Sequence, residues 1–467
     1  MARRKRIVQE LEIIDIVEKG RGLGRRPDGK VVFVDNVVPG DIVDVRIRRS
    51  RKDYAEGFPV AWHKYSDLRV TPRCQHFKHC GGCQWQNVGY EDQLRFKENI
   101  VRSAMKRIGK AEIETFLPIL GAQEIYNYRN KLEYSYSNKK WLPPELLNTD
   151  VSNVENVLGY HVKGSYDKIL DIKECHLQVD PSNSIRLGLK QIAIDQNLDF
   201  YDARAEQGFL RQVMIRMTTL EEIMILVSFF YDDQNKISSY LNEIKKRFPE
   251  IASIYFCINA KKNDYMFDRE MIQYDGKGSI TEQLGNIRFS IGPKSFFQTN
   301  TRQGQQLFDL VVEFADLNGS ENVYDLYTGI GSIALYIARS CANVVAIEEI
   351  KAAIEDAINN AKANAIENVE FYTGDVKDML TPEFRKRHGK PDVLITDPPR
   401  AGMHPKVVNI LLELESPKIV YVSCNPATQA RDLGLLSEKY QIKKMRPVDM
   451  FPHTHHVENV ALLSLKE

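Results

Sequence analysis

The 467-residue sequence lacks long apolar runs and is poor in cysteine. Its longest apolar stretches, such as Ile223 to Phe230, fall far short of the roughly 20 residues that a membrane-spanning helix requires. Seven cysteines in a chain of this length do not match the dense disulfide framework of a small secreted protein. The basic opening segment, Met1 to Arg6, leads into no apolar signal core. We therefore expect a cytoplasmic protein that makes no contact with a membrane, and we expect a monomer.

The net charge is also close to zero, at +1, but the charges are unevenly distributed. Residues 1–60 carry 14 Lys and Arg against 10 Asp and Glu, and residues 61–110 carry 10 against 4. The rest of the chain is therefore mildly acidic. Clustered cations displace counterions from phosphates, so this pattern favours an N-terminal part that binds a polyanion. A solubilising segment without a ligand is the alternative.

Gly, Pro and the periodicity of apolar residues divide the chain into three regions. Residues 1–62 show short strands broken by turns at Gly20 to Gly24 and at Val38-Pro-Gly-Asp41, which predicts a small β-barrel. Such barrels often bind nucleic acid, although a barrel that acts only as a spacer has the same pattern. Residues 63–285 indicate a mixed α+β domain with a helix from Tyr90 to Ile108. Residues 286–467 alternate between strands and helices.

This alternation predicts a parallel sheet with helices on both faces, and ligands of such sheets bind at the carboxyl ends of the strands. The predicted strands are Asn322 to Tyr327, Val344 to Ile347, Val369 to Tyr372, Val393 to Thr396, Ile419 to Val422 and Val460 to Leu463.

Three successive strand ends carry residues suited to a nucleotide. Gly329 and Gly331 follow the first strand and open a helix, where free N–H groups and missing side chains let a ligand approach. The dinucleotide fingerprint is incomplete because Ala334 replaces its third glycine. Glu348 ends the second strand, where a carboxylate can accept hydrogen bonds from ribose hydroxyls, and Asp375 follows the third. Either acid alone would be an ordinary solvated residue, but together they predict a cofactor pocket.

The next strand ends carry residues suited to chemistry on a base. Asp397-Pro-Pro-Arg400 follows the fourth strand, and the motif resembles that of amino-methyltransferases. Cys424 follows the fifth strand and favours another reaction, because an amine needs no thiol to accept a methyl group. Carbon 5 of uracil is a poor nucleophile until a thiolate adds to carbon 6. We therefore predict Cys424 as the nucleophile and Glu458 as the base that removes the carbon 5 proton. The alternative for Cys424 is a buried structural thiol.

A cluster of cysteines precedes the predicted helix. Cys74, Cys80 and Cys83 lie within ten residues, and Cys175 can supply a fourth thiolate. Four cysteines suit a 4Fe-4S cluster or structural zinc, and the spacing departs from the paired C-x2-C pattern of zinc ribbons. We therefore predict an iron-sulfur cluster.

These motifs together resemble the RNA uracil-5 methyltransferase family, in the branch with an N-terminal TRAM barrel and an iron-sulfur cluster. The resemblance extends over nearly the whole chain. This chain differs from many relatives at Thr328, where they have Cys, and from some relatives at Ser332, where they have Asn. The matching elements are Val38 to Asp41, the four cysteines, Phe296-Phe-Gln-Thr-Asn300, Asp325-Leu-Tyr327, Asp397 to Gly402, Ser423-Cys-Asn-Pro426 and His456-Val-Glu458.

The resemblance implies a Rossmann-like class I methyltransferase domain with a seven-stranded, mostly parallel sheet, and S-adenosyl-L-methionine as cofactor. It implies catalytic roles for Cys424, Glu458 and Asp397, and a 4Fe-4S cluster on the four cysteines. The expected substrate is 23S ribosomal RNA, with the T-loop of transfer RNA as the alternative. Two other classes stay open: a non-catalytic RNA-binding protein, and an amino-methyltransferase. The residues expected to line the cofactor and base pockets are Gln298, Tyr327, Gly329, Gly331, Glu348, Asp375 and Asp397.

Overall fold

The computed structural model describes residues 7–143, 146–147, 149 and 152–467, so the basic opening segment lies outside the described residues. Contacts divide the chain into two units. The barrel unit comprises Met1–Phe77, Cys83–Ile125 and Asp397–Glu467, and the central unit comprises Lys78–Gly82 and Tyr126–Thr396. These borders follow contacts in space and not the order of the chain. The three predicted domains, 1–62, 63–285 and 286–467, therefore stay predictions.

The barrel unit begins with five strands that close on themselves in the order β1-β2-β3-β5-β4. Alternate residues of these strands point inward and form an apolar core that includes Leu11, Ile13 and Val45. A closed barrel leaves no unpaired strand edge. The strands are β1 (Ile7–Val17), β2 (Arg21–Arg25), β3 (Val31–Val34), β4 (Ile42–Ser50) and β5 (Tyr54–Lys64).

The predicted turn from Gly20 to Gly24 was wrong beyond its first residue, Gly20. A short 3-10 turn covers Glu18–Gly20, and Gly22 and Gly24 lie inside β2. A Cβ on Gly22 would come within 2.3 Å of Val37, and one on Gly24 within 2.7 Å of the Glu12 carbonyl oxygen. The glycines therefore serve close packing in a small barrel and not a turn.

The rest of the barrel unit combines helices with four strands in the order β20-β22-β21-β6. β22 pairs antiparallel with both β20 and β21, and β6 pairs parallel with β21. The predicted helix from Tyr90 is confirmed as α1, which continues into a π turn at Met105–Gly109. The elements are α1 (Tyr90–Ala104), β6 (Ile113–Phe116), α9 (Pro405–Leu414), β20 (Lys418–Ser423), α10 (Pro426–Leu436), β21 (Tyr440–Val448) and β22 (Glu458–Leu465).

The central unit contains a seven-stranded sheet in the order β13-β12-β11-β10-β7-β8-β9 and a hairpin of β14 and β15. Every residue of β10 and β11 is buried, as expected for strands covered on both faces. The elements are β7 (Lys131–Lys139), β8 (Val154–His161), β9 (Ile169–Asp171), α2 (Ser182–Asp195), β10 (Leu210–Met217), β11 (Ile223–Phe229), α3 (Gln234–Arg247), β12 (Ile251–Ile258), β13 (Ile272–Gly276), β14 (Ile280–Leu284) and β15 (Ile287–Ile291).

The central unit also holds the alternating strands and helices that the sequence predicted. Four parallel strands run in the order β18-β17-β16-β19, so their carboxyl ends meet at one edge. The strands predicted from the sequence correspond to β16, β17, β18, β19, β20 and β22, whereas β21 and β6 were missed. The elements are α4 (Thr301–Ala315), β16 (Asn322–Leu326), α5 (Ser332–Ile337), β17 (Asn343–Glu348), α6 (Lys351–Ala363), β18 (Val369–Thr373), α7 (Val376–Met379), α8 (Pro382–His388) and β19 (Val393–Thr396).

No helix within the described residues has both the length and the apolar character needed to cross a membrane.

Candidate active site

The loop after β16 turns sharply through three residues with positive φ. Tyr327 has φ +65°, Gly329 +58° and Gly331 +79°. A Cβ on Gly331 would lie 3.2 Å from the side chain of Ala357, whereas one on Gly329 would meet nothing within 4 Å. Gly331 is therefore needed for packing as well as for the turn. Gly329 leaves open space beside the backbone, as a ligand that approaches the loop closely would require.

Glu348 connects this loop to the next strand. Its Oε2 accepts a hydrogen bond from the Gly329 N–H at 3.1 Å, and its Oε1 accepts one from Ile350 at 3.0 Å. The Gly374 N–H donates to the Glu348 carbonyl oxygen at 2.9 Å, which brings Asp375 to the same edge. Asp375 caps α7 by accepting a hydrogen bond from the Lys377 N–H. The structure therefore brings together Gly329, Glu348 and Asp375, as the strand order predicted.

Asp325 lies at the end of β16, next to this loop, and no role for it was predicted from the sequence. Its Oδ2 accepts hydrogen bonds from the Thr328 hydroxyl at 2.5 Å and the Ala334 N–H at 3.1 Å. Its Oδ1 is buried and has no hydrogen-bond partner among the described residues. Burial raises the pKa of Asp325 to about 7, and the charge of Glu348 adds to the shift. A buried acceptor without a partner beside an open glycine loop suits a ligand that carries a hydrogen-bond donor or a positive charge.

Gln298 lies on a loop that the buried Arg216 and the partly buried Asn130 hold in place. Arg216 of β10 donates to the carbonyl oxygens of Gly292 at 3.0 Å and Ser295 at 3.1 Å. The Asn130 side-chain amide donates to the Gln298 carbonyl oxygen at 2.9 Å. Burial lowers the pKa of Arg216 to about 10. Both holding residues were missed, because only long-range pairing brings them to this loop.

The three predicted catalytic residues come together in the barrel unit. The register of β20 and β22 pairs Ser423 with Asn459. Continuing this antiparallel register by one residue places Cys424 opposite Glu458. The negative charges of Glu458 and Asp397 both act on the Cys424 thiol, so the three groups share one electrostatic environment.

This environment favours the protonated forms of Cys424 and Glu458. Burial, followed by the charges of Glu458 and Asp397, raises the pKa of Cys424 to about 11, and Arg400 opposes the shift. Burial, followed by the charge of Asp397, raises the pKa of Glu458 to about 8, again opposed by Arg400. At neutral pH both groups therefore hold a proton for most of the time. Two coupled groups with raised pKa values are typical of a site that transfers protons.

A network of buried amides and a carboxylate holds the end of β20. The Gln429 amide donates to the carbonyl oxygens of Tyr421 at 2.9 Å and Asn459 at 3.2 Å, and the Asn459 amide donates back to Gln429 at 2.7 Å. Asp432 accepts hydrogen bonds from the Tyr421 hydroxyl and the Met403 N–H. These bonds fix the strand end that carries Cys424 and the loop that follows Asp397.

The segment before Glu458 is anchored by a fully buried ion pair. Lys97 of α1 contacts Asp449 at 2.5 Å, and neither side chain is exposed to solvent. The Tyr90 hydroxyl donates to the other oxygen of Asp449 at 2.9 Å, and Lys97 also donates to the Phe451 carbonyl oxygen. Burial lowers the pKa of Lys97, against the opposing charge of Asp449. The helix therefore orients the segment that leads into the predicted base.

Comparison with known proteins identifies the family. Residues 207–466 match the sequence profile of the tRNA (uracil-5-)-methyltransferase family, and residues 3–60 match that of the TRAM domain. The chain is 47% identical over 440 residues to an RNA methyltransferase of Bacteroides thetaiotaomicron, covering 93% of this chain and 97% of that protein.

The chain belongs to the tRNA (uracil-5-)-methyltransferase family.

Further comparisons agree with this uracil-5 methyltransferase assignment. An RNA methyltransferase of Porphyromonas gingivalis is 47% identical over 461 residues, which cover 97% of this chain and 99% of that protein. The crystal structure of Pyrococcus abyssi tRNA (uracil-54, C5)-methyltransferase in complex with S-adenosyl-L-homocysteine matches with a TM-score of 0.75 and 29% identity, covering 97% of this chain and 99% of that one. The class I methyltransferase fold and the TRAM barrel predicted from the sequence are thereby confirmed.

The four cysteines predicted to bind a metal in this methyltransferase are not joined in disulfides. In the central unit, Cys80 accepts a hydrogen bond from the Gly82 N–H, and Cys175 accepts one from the Tyr160 hydroxyl at 3.8 Å. Burial raises the pKa of Tyr160, and Tyr134, Cys175 and Cys80 add to this effect. Within the described ranges, however, no three His, Cys, Asp or Glu side chains are close enough together to hold a metal. The predicted cluster site with Cys74 and Cys83 is therefore not shown.

Proposed function

We propose that this methyltransferase transfers a methyl group to carbon 5 of a uracil in RNA, with Cys424 as the nucleophile. The observation that carries the proposal is that Cys424 directly follows β20, one residue beyond the pair of Ser423 and Asn459, and is under the charges of Glu458 and Asp397. A thiol held beside a carboxylate of raised pKa suits addition to a ring followed by removal of a proton.

The chemistry assigns one role to each group. The Cys424 thiolate bonds to carbon 6, and the electrons of the 5,6 double bond move toward oxygen 4, which makes carbon 5 nucleophilic. S-adenosylmethionine, when bound, supplies the electrophilic methyl group. The Glu458 carboxylate then takes the proton from carbon 5, the 5,6 double bond forms again, and the carbon–sulfur bond breaks to release Cys424.

The electrostatics of the site support these roles. A thiol with a pKa of about 11 gives a thiolate that is scarce but strongly nucleophilic. Burial, followed by the charge of Asp397, raises the pKa of Glu458, so the ionised carboxylate is a stronger base than an exposed glutamate. We assign Asp397 this electrostatic role as well as a place in the wall of the base pocket.

The residues of the glycine loop fit S-adenosylmethionine. Gly329 leaves space for the ligand, Glu348 keeps lone pairs for ribose hydroxyls, and the buried Oδ1 of Asp325 suits a positively charged group. The similar Pyrococcus abyssi structure contains S-adenosyl-L-homocysteine, which supports this assignment. The other residues of the central unit that we assign to this pocket are Gln298, Tyr327, Gly331 and Asp375, and the assignment of Asp397 rests on the sequence alone.

RNA that contains 5-fluorouracil tests the covalent step, because fluorine on carbon 5 cannot leave as a proton. The wild-type protein with S-adenosylmethionine should form an RNA–protein adduct that survives denaturing electrophoresis, and Cys424→Ala should form none. Cys341→Ala, which removes a buried thiol elsewhere, is the matched control and should form the adduct. An adduct with Cys424→Ala, or none with the wild type, contradicts the mechanism. If the protein were an amino-methyltransferase, the wild type would form no adduct.

We propose 23S ribosomal RNA as the substrate, because the resemblance is to the branch that combines a TRAM barrel with four cysteines. The T-loop of transfer RNA is the second candidate, which the similarity to a tRNA (uracil-54, C5)-methyltransferase supports. Mass spectrometry of 5-methyluridine in ribosomal and transfer RNA from a deletion strain decides between them. If 5-methyluridine is lost from neither RNA fraction, both substrate candidates are contradicted. If the Cys424→Ala variant still fulfils the role of the protein in the cell, the protein is a non-catalytic RNA-binding protein.

We also propose a 4Fe-4S cluster on the four cysteines, in a monomeric cytoplasmic protein. The support is the C-x5-C-G-G-C spacing and the hydrogen bonds that Cys80 and Cys175 accept, since thiolate ligands of iron commonly accept such bonds. Iron, sulfide and zinc analysis of anaerobically purified protein tests this: iron and sulfide should be present and should be lost in Cys175→Ser. Zinc without sulfide would indicate a structural zinc site.

A further inference from the structure

An apolar stripe on the outside of the barrel has no part in the proposed catalytic site. Phe58, Val60 and Trp62 occupy alternate outward positions of β5 and are 39%, 37% and 37% exposed, and Tyr65, just after the strand, is 62% exposed. We call these four residues the aromatic stripe. Large apolar groups that adjoin one another on a surface mark an interaction site more often than scattered ones do.

Part of the stripe is held rigidly. The rings of Trp62 and Tyr65 stack with centroids 6.0 Å apart and planes inclined by 16°. Tyr65 precedes Ser66, whose N–H donates to the buried carboxylate of Asp41 at 2.9 Å. Arg69 pairs with both oxygens of the same carboxylate, and its guanidinium lies 5.5 Å from the Tyr65 ring centre. A ring fixed in this way loses little conformational freedom when a ligand stacks on it.

Cations border the stripe. Arg46, the partner of Phe58 in the pairing of β4 and β5, lies 5.8 Å from the centre of that ring. The segment from Arg46 to Lys52 contains five Lys or Arg and no acid. Asp44, the acidic residue of β4, forms a hydrogen bond with His63 at 2.8 Å. Positive charge around exposed rings complements a ligand that is both aromatic and anionic.

We propose that the aromatic stripe stacks unpaired bases of the substrate RNA while the neighbouring cations contact its phosphates. The barrel is closed, so a partner protein cannot add a strand at this surface. Bases in a duplex are already stacked and do not offer their faces, whereas bases in loops do. The stripe therefore makes the barrel selective for single-stranded segments. This proposal rests on the proposed RNA substrate and on no step of methyl transfer.

Fluorescence anisotropy without S-adenosylmethionine tests the stripe on the full-length protein. The probes are a labelled unstructured RNA 12-mer and a blunt RNA duplex of about the same length. The double variant Phe58→Ala/Trp62→Ala should weaken binding of the single strand by roughly 5-fold to 150-fold per stacked base, and should leave the affinity for the duplex unchanged. Trp62→Phe keeps a ring and should retain most of the affinity. Tyr265→Ala, which removes an exposed ring of the central unit, is the matched control.

The outcomes separate this proposal from the proposed reaction. Equal losses for single strand and duplex, or no loss for either, overturn the stacking role. A change in molar mass by light scattering, with RNA affinity unchanged, would show that the stripe binds a second copy and also overturns it. The 5-fluorouracil adduct reports on Cys424 separately, so a protein that forms no adduct but loses single-strand affinity in the double variant refutes the reaction and supports the stripe.

Discussion

Glu458→Gln should stabilise the protein at alkaline pH while it abolishes methyl transfer. The pKa of Glu458 is raised from 4.5 to about 8 in the folded protein. Between these two values the folded protein keeps a proton that the unfolded chain releases, so the free energy of unfolding falls as pH rises through this window. A shift of about 3.5 pKa units corresponds to about 5 kcal/mol, which is fully lost above about pH 8. The amide of glutamine does not titrate and avoids this loss.

The measurement is the difference in thermal midpoint between the variant and the wild type as a function of pH. With an unfolding entropy of about 2 cal/mol/K per residue, 5 kcal/mol corresponds to about 5 °C when the whole chain unfolds together, and to more when the barrel unit unfolds alone. The difference should be close to zero near pH 5 and should reach its full size near pH 8.5. Glu367→Gln is the control for the loss of one surface carboxylate.

The reasoning is refuted if the difference in thermal midpoint stays constant with pH or shrinks as pH rises. Either result would mean that burial and Asp397 do not hold Glu458 in its protonated form. The stabilising substitution would then have another cause. A stabilised but inactive variant, in contrast, would show that the catalytic carboxylate is kept at the expense of stability.

Three further outcomes can be checked. Glu458→Gln also removes a charge that raises the pKa of Cys424, so iodoacetamide at pH 8 should alkylate that thiol faster than in the wild type, and an unchanged rate would contradict the coupling. Lys97→Met leaves its buried carboxylate partner unpaired and should cost about 3–5 kcal/mol in urea unfolding. Arg102→Ala, at a partly exposed ion pair, should cost less than about 1 kcal/mol, and equal losses would refute the contrast. Gly331→Ala places a side chain at φ +79°, which costs about 1–2 kcal/mol. Because binding requires this turn, the Kd for S-adenosylmethionine should rise roughly 5-fold to 30-fold by calorimetry, and an unchanged Kd would contradict the role of the turn.

The parts of the fold that depend on local pattern could be predicted. Buried segments such as Val323–Leu326 and Val344–Ile347 alternate with helices. This alternation is typical of parallel strands whose carboxyl ends meet at one edge of the sheet. The placement of Glu348 beside Gly329 follows from that rule alone. The helix from Tyr90 could also be read from the sequence.

Features that depend on pairs far apart in the chain could not be predicted. β6 joins β21 about 330 residues later, and no local pattern marks its four residues as part of that group. Gly22 and Gly24 resemble turn residues until the packing of Val37 and Glu12 against them is known. The ion pair between Lys97 and Asp449 joins two residues that would each be expected at the surface.

The sequence by itself determined the chemistry available to this protein: a thiol and a carboxylate at strand ends, an open glycine loop, and a basic N-terminal part. Only the tertiary structure decided how these groups act on one another. Cys424 and Glu458 are 34 residues apart, and the register of β20 against β22 makes them neighbours. Burial at that position, a property of the packed fold and not of any local segment, raises both pKa values and turns two ordinary side chains into a coupled pair.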